Sequence, residues 1–367
     1  MTKIILETSL GEALDKLSIL EIKIEKITDA RKTDCQKEYD ILSKYLEPYT
    51  KSFPYHYRIL KEINKTLWDL EDQFNESEAI DGTKIFPEIK KQNNRRFRLK
   101  KKINILGKSE LHEQKSYNPK RAFFYGHLGL GDMFWMNGAV RYLSTIYDDV
   151  VVVCKKKYEA AVRQMYCDDP SIVLFIIETD GELYPFQKKI PDLEKKGFRV
   201  YSCGALANKD EDKCTYYDFP FSFYDDLPLP REYRQHYFFV GENAKSKELL
   251  KTVQDISTSY ILIHQQSQND TIDVFTRLKN RQIPILDINK NNYSQTDPFY
   301  EVAQLVVNVP MLDYKDLIEN AKEIHCLESS FYCFATHLDL SKVEKKVCFL
   351  PCDDSAKRLG VFETGAL

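Results

Sequence analysis

The stretch from Phe123 to Phe134, FFYGHLGLGDMF, constrains this chain more than any other. An aromatic run with the pattern of a buried strand meets a glycine-rich turn. An acid closes that turn, and an apolar segment with helical spacing follows. Strand, tight turn and helix in that order open a βαβ unit. Such a unit places Asp132 at the carboxyl end of a strand, where doubly wound folds bind their ligands. Gly126, Gly129 and Gly131 allow the backbone to turn sharply or to approach a ligand closely.

The pattern on either side agrees. After Arg121–Gly126 as a strand, the spacing predicts a helix over Met133–Tyr147, a strand over Val150–Cys154, a helix over Tyr158–Tyr166 and a strand over Ile172–Ile177. A second set follows the Pro-rich stretch LPLPREYRQHYFFV: strand Tyr260–His264, helix Thr271–Asn280, strands Ile283–Asp287 and Leu305–Asn308, helix Tyr314–Asn320, strand Glu323–Leu327 and helix Phe331–Leu338. The expected fold class is therefore α/β, with two Rossmann-like halves at 119–235 and 236–367 and a cleft between them.

Upstream, residues 1–118 read as an α-helical hairpin or bundle. Ser9 and Glu12 have capping-box spacing, and Leu10, Ala13, Leu14, Leu17, Leu20, Ile24 and Ile27 follow as one stripe. Runs at Gln36–Leu46, Tyr55–Glu78 and Pro87–Leu106 continue it, with Pro48, Pro54 and the Asp81-Gly82 turn as expected breaks. Such stripes suit a coiled-coil-like scaffold and a homo-oligomer, although they could also close on the chain's own second part. From Lys90 to Lys108 nine cations, Lys90, Lys91, Arg95, Arg96, Arg98, Lys100, Lys101, Lys102 and Lys108, occur without an acid. They read as a solvated helix face, or as contact with an anionic membrane surface or phosphorylated acceptor. No aromatic or Gly-rich module accompanies them, so nucleic acid is not expected as a partner. The nine cysteines show no zinc spacing and are expected as reduced, mostly packed thiols. With no leader-like or membrane-spanning apolar run, the expected location is cytoplasmic, peripheral at a membrane if the cations meet lipid.

Two resemblances carry further expectations. GEALDKLSILEIKIEKI and INKTLWDLEDQFNESE resemble an uncharacterised bacterial helical family over about residues 5 to 105. GHLGLGDMFWMNGAVRYLSTIYDDVVVVC and DYKDLIENAKEIHCLESSFYCFATHLDL resemble the first and last βα units of GT-B glycosyltransferases, in particular the ADP-heptose heptosyltransferases. The late ESSF resembles the DSSF of poorly characterised transferase-like proteins, and Asn137-Gly138 stands where heptosyltransferases usually carry a proline. The resemblance implies transfer of a sugar from a nucleotide-sugar donor to a glycan or lipid-linked acceptor. It implies no metal and no cofactor beyond the donor, and it maps the acceptor-deprotonating base onto Asp132.

The residues fit that chemistry independently. A carboxylate must take the proton of the attacking hydroxyl, and hydrogen-bond donors must meet the departing diphosphate. Asp132 could serve as base or simply as a helix cap. Ser329 and Ser330 could meet phosphate at the start of the helix opening at Phe331, or merely cap it, and Glu328 could accept from ribose hydroxyls. His264 or Ser267 could bind the diphosphate. His127, Gly129, Gly131 and Asn137 are candidates for acceptor or phosphate contact. Trp135, Tyr216, Tyr217, Phe219, Phe221 and Phe223 offer rings for a sugar, though rings this dense more often form core. The acids Asp148, Asp149, Asp168 and Asp169 read as turn residues. Two other classes remain open: a non-catalytic nucleotide- or glycan-binding scaffold, and a GT-B-like nucleotide-sugar epimerase.

Overall fold

The computed structural model describes residues 6–76, 82–116, 118–183, 188–204, 219–267, 270–279, 281–349 and 361–365. Four helices come first: α1 (Leu10–Lys26), α2 (Arg31–Ser52), α3 (Pro54–Glu76) and α4 (Gly82–Leu106). Ser9 caps α1 by accepting from the Glu12 amide. Pro54 opens α3 at the position where its missing N–H costs nothing. Pro48, an expected break, and Pro87, the expected start of the fourth run, both fall inside helices instead. Pro48 sits in the last turns of α2, and α4 starts five residues before Pro87. In both places the proline lies close enough to a helix end that little of the hydrogen-bond ladder is lost. The expected turn residue Asp81 lies outside the described residues.

The stripes close on the chain itself. Leu14, Leu17, Ile59, Leu60, Ile63, Leu67, Leu99 and Ile103 form one apolar cluster, which Tyr142 and Tyr237 of the following α/β unit complete. Each fully buried aliphatic side chain contributes about 1.5–3 kcal/mol. Gly11 lets α1 lie against α4: its amide donates to Asn104 Oδ1 at 2.6 Å, and a Cβ there would meet the Lys100 carbonyl.

The first α/β half runs β1 (Arg121–Tyr125), α5 (Leu130–Ile146), β2 (Asp149–Lys155), α6 (Glu159–Met165), β3 (Ile172–Ile177), α7 (Ile190–Lys195), β4 (Phe198–Ser202), α8 (Phe219–Asp225) and α9 (Tyr233–His236). The second runs α10 (Ala244–Ile256), β5 (Ile261–His264), α11 (Val274–Leu278), β6 (Ile285–Asp287), α12 (Tyr300–Leu305), α13 (Lys315–Asn320), β7 (Glu323–Leu327), α14 (Ser330–Ala335), β8 (Lys345–Phe349) and β9 (Glu363–Gly365). Both sheets are parallel, in the orders β3-β2-β1-β4 and β6-β5-β7-β8-β9. The expected two-half α/β fold with a helical N-terminal region is thus observed.

Details differ. The expected strand Leu305–Asn308 is the end of α12 and a turn in which Asn308 takes a positive φ of 55°. The expected helix Thr271–Asn280 shortens to α11, capped by Asp273, while Thr271 bridges to Gln266. Strands β4, β8 and β9 add to the sheets.

Charge fastens the helices to the first half. Arg98 pairs with Asp148 at 3.1 Å, and Lys102 with Asp169 at 2.7 Å and Ser144 at 2.9 Å, all within buried surroundings. Arg95 donates to Thr145 and to the Tyr237 hydroxyl, and buried Lys100 pairs with Glu12 and Glu113. The basic run is therefore corrected: four of its cations face inward, and only Lys90, Lys91, Lys101 and Lys108 are exposed. Of the acids read as turn residues, Asp148 and Asp168 lie at a bend and a turn and Asp169 beside one, and all three are also the partners of buried cations.

Arg141 of α5 ties these parts together. Fully buried, it binds the Asp168 carboxylate at 2.7 and 3.1 Å and the carbonyls of Met165 and Phe239. Its guanidinium lies 5.0–5.4 Å from the ring centres of Tyr55, Tyr166 and Phe239. Burial works against its charge, but Asp168 outweighs that and keeps it firmly protonated. Arg141→Met strands the Asp168 carboxylate and the Met165 carbonyl, and it is expected to destabilise the chain by about 3–5 kcal/mol in urea titrations. A loss below about 1 kcal/mol would show that the knot is dispensable.

Candidate functional site

In each sheet the strand order reverses beside the first strand: between β1 and β4 in the first half, between β5 and β7 in the second. Crevices outside the carboxyl ends of strands at such reversals are where open α/β sheets bind ligands. The first reversal carries the glycine turn. β1 ends at Tyr125, and α5 starts at Leu130, so Asp132 lies inside the first helical turn. Its Oδ2 accepts from the Gly129 amide at 2.9 Å. Burial raises its pKa, with the Gly129 amide and His127 opposing. Lys155, at the end of β2, pairs with Asp180 at 2.8 Å, and both charges act on Asp132.

The second reversal carries His264 and Ser329. His264 ends β5, is buried, and its Nδ1 lies 3.3 Å from the Oγ of Ser329, the residue that precedes α14 and whose hydroxyl also donates to the Leu327 carbonyl. Its ring stacks on Phe331 with centres 5.3 Å apart and planes at 11°. Burial pushes its pKa down to about 4, so near neutral pH the imidazole is an uncharged hydrogen-bonding group.

The two reversals meet. A Cβ on Gly131 would lie 2.9 Å from Cys333 Sγ and 3.6 Å from the Ser330 Cα, so only glycine lets α5 approach α14 this closely. Burial drives the Cys333 thiol well up, and Asp132 from one half and Glu328 from the other add to it. Phe134 stacks on Phe334 at 4.6 Å, and Gln235 donates to the Thr336 carbonyl. Asp132, Cys333, Ser330 and Glu328 thus share one neighbourhood, which the His264–Ser329 pair adjoins through the start of α14.

Other expected site residues lie elsewhere. Asn137 is corrected: it is fully buried, and both ends of its amide are bonded to the Phe239 backbone. Phe331 is also corrected, since it is fully buried and supports the His264 ring from beneath. Ser267 closes a turn with Asp270. His127 stays beside the glycine turn, edge-on to Phe223. Trp135 and Phe223 are core, Trp135 between Arg234 and His337, while Tyr216 and Tyr217 lie outside the described residues. Lys155 and Asp180 were not anticipated. The signal was a lysine directly after the buried run VVVVC, where the strand reaches the crevice edge.

Among the described residues no cluster of His, Cys, Asp or Glu could hold a metal ion, and no helix is long and apolar enough to cross a membrane. Residues 4–123 match the Family of unknown function DUF6165, about the first third of the chain. No curated protein matches. Solved structures with some likeness include the iron-containing dodecameric glycosyltransferase TibC from enterotoxigenic E. coli H10407, at 15% identity and a TM-score of 0.41, over 66% of this chain and 61% of that one. A second TibC structure, a heptosyltransferase in complex with ADP-D-beta-D-heptose, gives 13% identity and a TM-score of 0.42 over 71% and 65%. The family 9 glycosyl transferase of Veillonella parvula DSM 2008 gives 11% and 0.42 over 70% and 88%. The chain spans less than two thirds of the length of either TibC structure.

Two outcomes are expected. Gly131→Ala forces Cys333 or α14 to shift, at a cost of about 1–3 kcal/mol in a thermal melt; an unchanged melt would show that the contact is loose. His264 and His56 titrate near 4 in the folded chain against 6.5 unfolded. The unfolded chain therefore binds more protons between about pH 6.5 and 4, and stability falls as pH drops through that window. Denaturation at pH 7 and pH 5 checks the sign.

Proposed function

We propose that the chain is a GT-B-type glycosyltransferase that moves a sugar from a nucleotide-sugar donor to a glycan or lipid-linked acceptor. The observation that carries this reading is the meeting of the two strand-order reversals, which sets a half-buried carboxylate opposite uncharged hydrogen-bond donors. An acceptor hydroxyl on the first half attacks the anomeric carbon of a donor held by the second. As that C–O bond forms, Asp132 takes the hydroxyl proton, and the bond from the anomeric carbon to the diphosphate oxygen breaks. The raised pKa of Asp132 suits it to receive a proton. The departing nucleoside diphosphate is met by His264, Ser329 and Ser330 as hydrogen-bond donors, and Glu328 accepts from ribose hydroxyls. Lys155 adds positive charge at the crevice edge. The reading assigns the step no metal ion.

One observation favours a second reading, a binding module without turnover: Asp132 already accepts from the Gly129 amide, as a structural cap does. Asp132→Asn separates the two. A transferase loses about 10²–10⁴-fold in turnover and keeps its affinity for the nucleotide. Transfer that survives the substitution overturns the assignment of Asp132. Absence of turnover in the unaltered chain with every nucleotide sugar tried favours the binding module, and donor consumption without an acceptor favours an epimerase.

A further inference from the structure

A groove separate from the crevice runs between the helical region and the first half, walled by α3, α4 and α9, with a volume of about 510 Å³. That lies within the range of about 300–1,000 Å³ of small-molecule sites. Its floor is apolar and aromatic: Ile59 and Ile63 are buried, and Tyr233 packs its ring 4.8 Å from Tyr237 and 4.7 Å from Tyr142. Tyr233 itself is half-buried, and its hydroxyl makes no hydrogen bond among the described residues.

The rim carries charges of both signs. Part of it is already satisfied: Glu62 is bonded to Arg58 and His236, and Arg95 to Thr145, Gln92 and Tyr237. Lys65 and Glu232 are exposed, and their side chains have no hydrogen bond or ion pair among the described residues. Asp69 spends one oxygen on Lys26. An aromatic floor with separate donors and acceptors above it selects among ligand classes. An apolar ligand would leave the charged rim desolvated and unpaired. A phosphorylated one would meet Glu62, Asp69 and Glu232. A neutral polyhydroxyl compound satisfies both, with its C–H face on the Tyr233 ring and its hydroxyls on Lys65, Asp69 and Glu232.

We infer that this groove is a binding site for a neutral oligosaccharide. It is not the site of transfer: Tyr142, which adjoins its floor, lies about 15 Å along α5 from Asp132 at 1.5 Å per residue. A glycan seated there holds its distal units away from the reacting end, and the site exists whether or not the crevice turns over.

The test applies the full chain to an array of immobilised neutral oligosaccharides built from glucose, galactose, mannose and N-acetylglucosamine, then titrates the best-retained compound in solution. The expected result is retention that weakens at least tenfold in Tyr233→Ala. The same weakening is expected in the exposed pair Lys65→Glu with Glu232→Lys, which leaves the floor intact and so keeps the test valid if Tyr233→Ala fails to fold. Binding persists in Asp132→Asn, which separates this site from the crevice. Three results would overturn the inference: retention of no neutral oligosaccharide, equal retention in the rim variant, or retention of phosphorylated compounds alone.

Discussion

Arg141 is the interaction on which the rest of the structure depends. One fully buried guanidinium, carried by the central helix of the first half, faces groups from three parts of the chain. Tyr55 comes from the N-terminal helices, Met165 and Asp168 from the end of α6, and Phe239 from the segment that leads to the second half. A cation taken out of water is costly unless nearly every donor is met, and here its hydrogen bonds go to one carboxylate and two carbonyls. Removing any of these neighbours leaves a buried charge short of partners. The helices, the first sheet and the connection to the second sheet are therefore coupled, and the N-terminal region behaves as part of the α/β body rather than as an appended arm.

That coupling positions the crevice. α5 is buried on nearly every side, as a helix without a polar face should be. Its middle and second half are held by the Asn137 amide and by Arg141, which fixes where its first turn points. The first turn carries Gly131 against Cys333 and Asp132 toward the β7–α14 connection. The apposition of the two halves is thus a consequence of packing along one helix, and the chemistry at its start inherits that rigidity.

The central unit was legible in the sequence because its signals were local. FFYGHLGLGDMF forms the expected strand, turn and helix, and His264 and Ser329, read from separate strand ends, come within hydrogen-bond distance. What was not legible depended on partners distant in sequence. Arg95, Arg98 and Lys102 recur at the same three- and four-residue spacing as Leu99 and Ile103, so they share the inner face of α4, yet a run of cations without acids looks like a solvated surface. The carboxylates that Arg98 and Lys102 meet stand 50 and 67 residues away, in pairs that resemble turn acids. Asn137 looked available for a ligand because nothing local showed that Phe239 would take both ends of its amide. Strands such as β4 and β8 are short runs between charged residues, and only the sheet makes them strands.

We propose that the glycine turn of one half and the strand ends of the other form a single nucleotide-sugar crevice. Hydrogen–deuterium exchange on the full chain with ADP-, GDP- and UDP-sugars tests it most directly. With the donor that binds, protection should rise together at 126–133 and at 264–267 and 328–333. Protection confined to one half, or none with any of the three donors, would contradict a shared crevice.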